Sequence, residues 1–360
     1  MVRIDPTSKD ALPARIERRT LIRHSDTLPF MKQEGMMRVG NTPLIKLDGI
    51  YAKLECVNPT GSIKDRMAKF IIEESERRGI LRKGMTIVEA TSGNTGIALS
   101  YFARQKDYEV IIIMPENVTE ERKEFVRKLG ASLILCSSEG GFPEAVRIRD
   151  ERAKDGPFFN SDQFSNPLNV ECHYRTTGKE IIQQLSERSL LADAFVAGVG
   201  TGGTLIGVAK ALREVNPGVH IAAVEPTESP VMSGGAPGPH GIPGIGDGFI
   251  PTIIKSENGA LNPLIDELIC IRSRDAMDAS MAIAKNHGYC VGVSSGANYL
   301  AAKGLLRNYG SVVTVFPDGF TRYLSMGLSS SGACAYHGGA CRKFAEWMSS
   351  SEADAVSFPS

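Results

Sequence analysis

Short runs rich in Ile and Val alternate along this chain with segments of helical period, and that alternation limits the fold more than any other feature. The apolar runs are Met85–Ala90, Glu109–Met114, Ser132–Cys136, Ala194–Val199, Ile221–Val224 and Val312–Phe316. Between them lie Ile97–Gln105, Glu120–Leu129, Glu144–Ala153 and Leu205–Val215, with apolar residues at helical spacing. A tight turn cannot join parallel strands. They need a crossover, and the crossover helix then covers a face of the sheet. Two such series stand on either side of a loop-rich bridge near Ser161–Asn169. The expectation is an α/β protein of two domains, each with a mostly parallel sheet between helices.

Composition narrows the function. The chain has 360 residues, and its 41 Lys+Arg balance 41 Asp+Glu. Non-specific nucleic-acid binders carry a basic excess because phosphate contacts dominate their affinity, so no nucleic-acid partner is expected. No apolar run approaches the roughly 20 residues a membrane span needs. The N-terminus lacks a basic-then-apolar signal, and Asp5, Asp10 and Glu17 argue against a transit peptide. Seven widely spaced cysteines do not form a secreted disulfide framework. A cytoplasmic location is expected. Residues 1–38 are polar, with a weak helical stripe over Thr7–Arg23. Residues 329–360 read as a flexible tail with one short helix at Cys341–Met348. Ser229–Gly248 is dense in Gly and Pro and reads as a long functional loop.

Four features carry chemistry. Thr91-Ser92-Gly93-Asn94-Thr95-Gly96 follows a strand and opens a helix, so backbone N–H groups, hydroxyls and an amide face one spot that attracts an anion. Gly198-Val199-Gly200-Thr201-Gly202-Gly203-Thr204 does the same in the second series. It satisfies G-x-G-x-x-G, and Glu225 ends the next strand about 20 residues on, as a dinucleotide site requires. Its threonines equally suit a single phosphate group. Gly292-Val293-Ser294-Ser295-Gly296-Ala297 opens a third helix, with Ser294 or Ser295 as its cap. In Asn58-Pro59-Thr60-Gly61-Ser62-Ile63-Lys64-Asp65-Arg66, Thr60 or Ser62 caps a helix that Gly79 ends. Lys64 falls in its first turn, against the positive end of the macrodipole. That field should lower its pKa, and a neutral amine is what imine chemistry needs. A reactive lysine, a phosphate loop and a carboxylate loop together suit a pyridoxal-phosphate enzyme acting on an amino acid. A nicotinamide or flavin oxidoreductase stays open on these residues alone, as does a non-catalytic binding protein.

NPTGSIKDR (58–66), TSGNTG (91–96), QFSNP (163–167), TTG (176–178), GTGGT (200–204), GIGDGF (244–249) and GVSSG (292–296) occur in the order found in cysteine synthases. From about Val39 to Leu328 the chain resembles O-acetylserine sulfhydrylase and cystathionine β-synthase, fold-type II pyridoxal-phosphate enzymes with a tryptophan synthase β-like fold. The resemblance implies a large cofactor domain (39–59 with 170–328) and a smaller movable substrate domain (60–169). It implies that Lys64 forms the Schiff base and moves the Cα proton, and that Gly200, Thr201, Gly202, Gly203 and Thr204 hold the phosphate. Asn94 would bond the ring hydroxyl and Ser294 would face the ring nitrogen. Thr91, Ser92, Asn94, Thr95 and Gln163 would receive the substrate carboxylate. The implied reaction is β-replacement through an α-aminoacrylate: cysteine from O-acetylserine or O-phosphoserine and sulfide. Cysteine breakdown to sulfide, or thiol exchange, is the alternative. A homodimer and a serine acetyltransferase partner are implied too.

Two stretches depart from the cysteine synthase pattern. Asp247 stands where a small residue is usual, and it reads as a base beside the second substrate. Pro317-Asp318-Gly319-Phe320-Thr321-Arg322-Tyr323 leans toward cystathionine β-synthase. No metal is expected, since Cys334, His337 and Cys341 are too few and irregular. His173, His220 and His287 read as packed or solvated, and Cys56, Cys136, Cys270 and Cys290 as core.

Overall fold

A computed structural model describes residues 38–328 apart from 92, 155 and 327, together with the two-residue strand 16–17. In chain order the strands and helices are β1 (Ile16–Glu17), β2 (Leu44–Leu47), β3 (Ile50–Leu54), α1 (Lys64–Arg77), β4 (Thr86–Ala90), α2 (Asn94–Arg104) and β5 (Glu109–Pro115). Next come α3 (Glu120–Lys128), β6 (Ser132–Cys136), α4 (Gly141–Lys154), β7 (Phe158–Asn160), α5 (Pro167–His173) and α6 (Lys179–Ser186). The chain continues with β8 (Ala194–Gly198), α7 (Gly203–Val215), β9 (His220–Pro226), β10 (Glu267–Ile271), α8 (Ser273–His287), α9 (Val293–Leu305) and β11 (Val312–Phe316).

The strands form two sheets. One runs β1-β6-β5-β4-β7 and the other β10-β9-β8-β11-β3-β2. Among the strand pairs of the described residues, β1 against β6 and β2 against β3 are antiparallel and the rest are parallel. Successive side chains of a strand enter opposite core layers: Ile87 packs on one face of β4, and Val88 and Ala90 on the other. On β8, Ala194 and Val196 face one layer, and Phe195 and Ala197 the other. Both faces of each sheet are therefore covered, and the molecule is α/β with two three-layer units. This is the alternation read in the sequence, with helix and strand ends moved by a few residues.

Some expectations fail. Ile16–Glu17, inside the stripe read as a helix, pairs as a strand with Ile134 and Leu133. The remainder of 7–23 lies outside the described residues, as do the tail from 329, its helix at 341–348 and Cys334, His337 and Cys341. The bridge holds a helix, α5, because Asn166 caps it through Leu168 N–H and Pro167 starts it. Cys270 is exposed and Cys290 half-buried, so neither is core, whereas Cys56 and Cys136 are buried. Among the described residues no helix is long and apolar enough to cross a membrane.

Candidate active site

The chain leaves β4, β8 and β11 at their carboxyl ends and turns toward one cleft of about 870 Å³, its open mouth included. Ligands of parallel sheets bind at that end. Lys64, Thr91, Asn94, Thr95, Gln163, Gly200, Thr201, Gly202, Thr204, Asp247 and Ser294 all line it. Gly203 opens α7 directly behind. Ser92 lies outside the described residues.

The first loop is held from below. Glu89, buried at the end of β4, accepts from Ser161 Oγ (2.7 Å), Gln163 N–H (3.1 Å) and Arg149 Nη1 (3.1 Å). Gln163 is thereby fixed against the loop, where its Oε1 accepts from Thr95 Oγ1 at 2.6 Å. Thr91 Oγ1 accepts the Gly93 N–H at 3.1 Å. These bonds bring together sequence positions about 70 apart, 91–95 and 163.

The second loop is pressed against the Gly/Pro-rich segment. A Cβ at Gly200 would lie 2.3 Å from the Gly244 carbonyl, and one at Gly202 (φ +84°) 2.2 Å from Ile254. Glycine is required there by close backbone approach. Gly246 N–H donates to Val199 O at 3.0 Å, and this contact carries Asp247 over the loop and into the cleft. Glu225, the acidic residue a dinucleotide would need, is consumed: Met232 N–H (2.8 Å), Ser233 N–H (3.0 Å) and the Ser233 hydroxyl all donate to it. Its carboxylate folds the 229–235 turn instead of facing a ribose.

Two capping expectations are corrected. Neither Ser294 nor Ser295 caps α9. Gly292 does, and both serines lie buried inside the first turn. A Cβ at Gly292 would strike Asp318 Oδ1 at 2.1 Å, so glycine lets the helix start beside Asp318. At α1 the cap position is Ile63; Thr60 bonds the Asp65 side chain in the first turn, and Ser62 is the expected residue that reaches a backbone donor of the helix. The Thr60 N–H donates to Asp65 Oδ2 at 2.6 Å and its hydroxyl to Asp65 Oδ1, while Ser62 Oγ accepts Lys64 N–H at 3.3 Å.

The charges of the cleft are unusual. Burial lowers the Lys64 pKa from 10.5, and Asp247, Glu89 and Asp318 pull it back up. The direction matches the sequence expectation, but the leading cause is desolvation. Burial likewise raises Asp247 and Asp318 above 3.8, with Lys64 and His240 opposing at Asp247. Asp318 Oδ2 accepts from Asn94 Nδ2 (2.7 Å) and Tyr323 Oη (2.6 Å). Asn94 Oδ1 and Asp318 Oδ1 are buried with no partner. The sequence reading named Asp318 only as part of a variant segment and passed over Glu89. A lone carboxylate inside or just after an apolar strand was the available signal in both cases.

A glycine cradle with no room for a Cβ, the Thr201 and Thr204 hydroxyls beside it and a lysine amine of lowered pKa fit an anionic, carbonyl-bearing cofactor, and the unpartnered acceptors Asn94 Oδ1 and Asp318 Oδ1 fit a donor group carried by it. Comparisons agree. The family profile of pyridoxal-phosphate dependent enzymes matches residues 36–318. A cysteine synthase of Staphylococcus aureus is 42% identical over 303 residues, 81% of this chain and 95% of its own length. A hydrogen sulfide-producing enzyme from Fusobacterium nucleatum superposes with TM-score 0.73 at 39% identity, covering 81% of this chain and 87% of its own. An O-acetylserine dependent cystathionine β-synthase from Helicobacter pylori gives 0.74 at 38%, covering 80% and 95%. Since the match runs across the lysine motif and both glycine loops, the chain belongs to the cysteine synthase family of pyridoxal-phosphate-dependent enzymes.

Proposed function

We propose that this enzyme replaces the β-substituent of an L-alanine derivative, making L-cysteine from O-acetylserine or O-phosphoserine and sulfide. One observation carries the reading: a lysine amine of lowered pKa sits in a single cleft with two loops of neutral donors, one suited to a phosphate and one to a carboxylate. When bound, pyridoxal phosphate supplies an electron sink for a carbanion at the substrate Cα. Gly200–Thr204 would hold its phosphate, Asn94 would meet the ring hydroxyl, and Lys64 would anchor it. Once the substrate's amine displaced it from the cofactor, the freed Lys64 Nζ would take the Cα proton and later return it. Ser294 would offer the ring nitrogen a hydroxyl rather than a carboxylate, which would keep the sink weak and favour prompt loss of a β leaving group. Thr91, Asn94, Thr95 and Gln163 bind the substrate carboxylate, and Ser92 belongs to the same loop. Closure of the 60–169 unit onto 39–59 and 170–328 excludes water from the reacting centre.

Asp247 favours a second outcome from the same site. A carboxyl raised by burial and facing Lys64 can take a proton from water or a thiol at the β-carbon. Cysteine would then be broken down to sulfide, or its thiol exchanged. Asp247→Ala should slow the second half-reaction by about 10²-fold and leave the first unchanged, measured by stopped-flow on each half. Equal slowing of both removes this role. The central test crosses O-acetylserine, O-phosphoserine, cysteine and serine as donors with sulfide, homocysteine, cysteine and water as acceptors. The highest kcat/KM is expected for an O-acylated or phosphorylated serine with sulfide, and absence of turnover for every pair overturns the reading. We place the enzyme in the cytoplasm as a homodimer able to bind a serine acetyltransferase. Light scattering and co-purification check the assembly.

A further inference from the structure

One helix stands behind the loop assigned to the phosphate. α5 carries Asn169 and His173 four residues apart, hence on one face, and both are fully buried. Asn169 Nδ2 donates to the Gln163 carbonyl (2.8 Å) and to Thr201 Oγ1 (3.0 Å). A carbonyl only accepts, so the amide nitrogen must face both partners. Gly203 N–H reaches the same Thr201 oxygen at 3.4 Å. With two donors on that oxygen, the Thr201 hydroxyl proton is left to point into the cleft that Thr201 lines.

His173 repeats the arrangement one turn on. Its Nδ1 lies 2.9 Å from Thr177 Oγ1 and its Nε2 3.3 Å from Thr204 Oγ1. Burial first, then the Lys64 and Arg66 charges, hold the imidazole well below 6.5. It is neutral, with one donor and one acceptor. Thr177 belongs to the widened π-type turn Tyr174–Gly178 that extends α5, a feature common at functional sites. α5 and α7 are locked together: a Cβ at Gly203 would meet Asn169 Oδ1 at 2.1 Å, and one at Gly207 would meet the Val170 carbonyl at 2.5 Å.

We propose that Asn169 and His173 are positioning residues that donate to the Thr201 and Thr204 oxygens and so aim both hydroxyl protons at the cofactor phosphate. The proposal rests on the reading of Gly200–Thr204 as the phosphate site. For His173 it selects the tautomer with the proton on Nε2, Thr177 donating to Nδ1. A phosphate oxygen only accepts. A threonine whose proton went to the imidazole would present lone pairs to it.

The test titrates apoenzyme with pyridoxal phosphate and with pyridoxal, which lacks the phosphate. Asn169→Ala and His173→Leu should each weaken pyridoxal phosphate binding on the order of tenfold and change pyridoxal binding by less than about twofold. His173→Gln, which returns an N–H near the Nε2 position, should recover most of the loss. Equal weakening of both ligands means a structural role only and overturns the proposal, as does unchanged affinity for pyridoxal phosphate. Thr201→Val and Thr204→Val run alongside. If they leave pyridoxal phosphate binding intact, the phosphate-site reading itself fails. If they weaken it while the α5 variants do not, only the present proposal fails. Should an α5 variant not fold, ¹⁵N NMR of His173 in the wild-type holoenzyme decides: Nε2–H supports the assignment and Nδ1–H overturns it.

Discussion

Lys64 and Arg66 lie two residues apart at the start of α1, yet their surroundings are opposites. Arg66 is saturated. It donates to Glu55 through Nε (2.7 Å) and Nη2 (2.8 Å), to Glu180 through Nη1 (2.6 Å) and Nη2 (2.8 Å), and to Thr42 Oγ1 (3.1 Å). Lys53, fully buried beside it, donates to Glu180, Gln184 and the Thr42 carbonyl. No atom of these groups lacks a partner. Around Lys64, by contrast, Asn94 Oδ1 and Asp318 Oδ1 are buried and unmet. A buried polar group normally finds its partner within the fold. The saturated cluster therefore belongs to the machinery that holds α1 to β3 and α6, and the unmet one to what the cleft binds.

The largest expected effects break this symmetry in opposite senses. Lys64→Ala should lower kcat/KM by at least about 10³-fold. It removes a half-buried, desolvated amine, so apoenzyme stability in urea should change by no more than about 0.5 kcal/mol. Arg66→Ala leaves Glu55 without its counter-charge and Glu180 with Lys53 alone, and should cost about 3–5 kcal/mol in the same measurement. A Lys64→Ala apoenzyme as unstable as Arg66→Ala would end the distinction between the two clusters.

Much of this contrast was legible from the residues. The apolar runs of β4, β5, β6, β8, β9 and β11 stood out because both faces of these strands are buried and they read as continuous hydrophobic stretches. The glycine loops and Lys64 announced themselves through residue types no ordinary turn needs. The saturated cluster did not. Lys53, Glu55, Arg66 and Glu180 look like scattered surface charges in sequence, and only the pairing of β3 with β11 and the docking of α6 collect them. β10 and α8 have weaker patterns, half-exposed on β10, so local periodicity passed them by. Thr60 shows the limit of capping rules: its neighbour Asp65 is buried, with its carboxyl raised to about 7, and captures the hydroxyl expected at the helix end.

The smallest effect separates the clusters by the sign of their pH dependence. Glu180 is partly buried, which alone would raise its pKa, but Arg66 and Lys53 hold it down to about 2. A depressed carboxyl contributes stability above its ordinary 4.5, lost as pH falls toward 2. Asp318 is shifted the other way by burial. Folded chains then keep a proton that unfolded chains release above 3.8, so stability declines as pH rises from there through the raised folded pKa. Asp318→Asn removes that decline. Relative to wild type, its apoenzyme should gain stability between pH 4 and pH 8. Glu180→Gln should show a deficit that is constant at neutral pH and shrinks only in acid. Urea titrations across that range read both, and parallel curves for wild type and Asp318→Asn would show that the unmet carboxyl in the cleft carries no such strain.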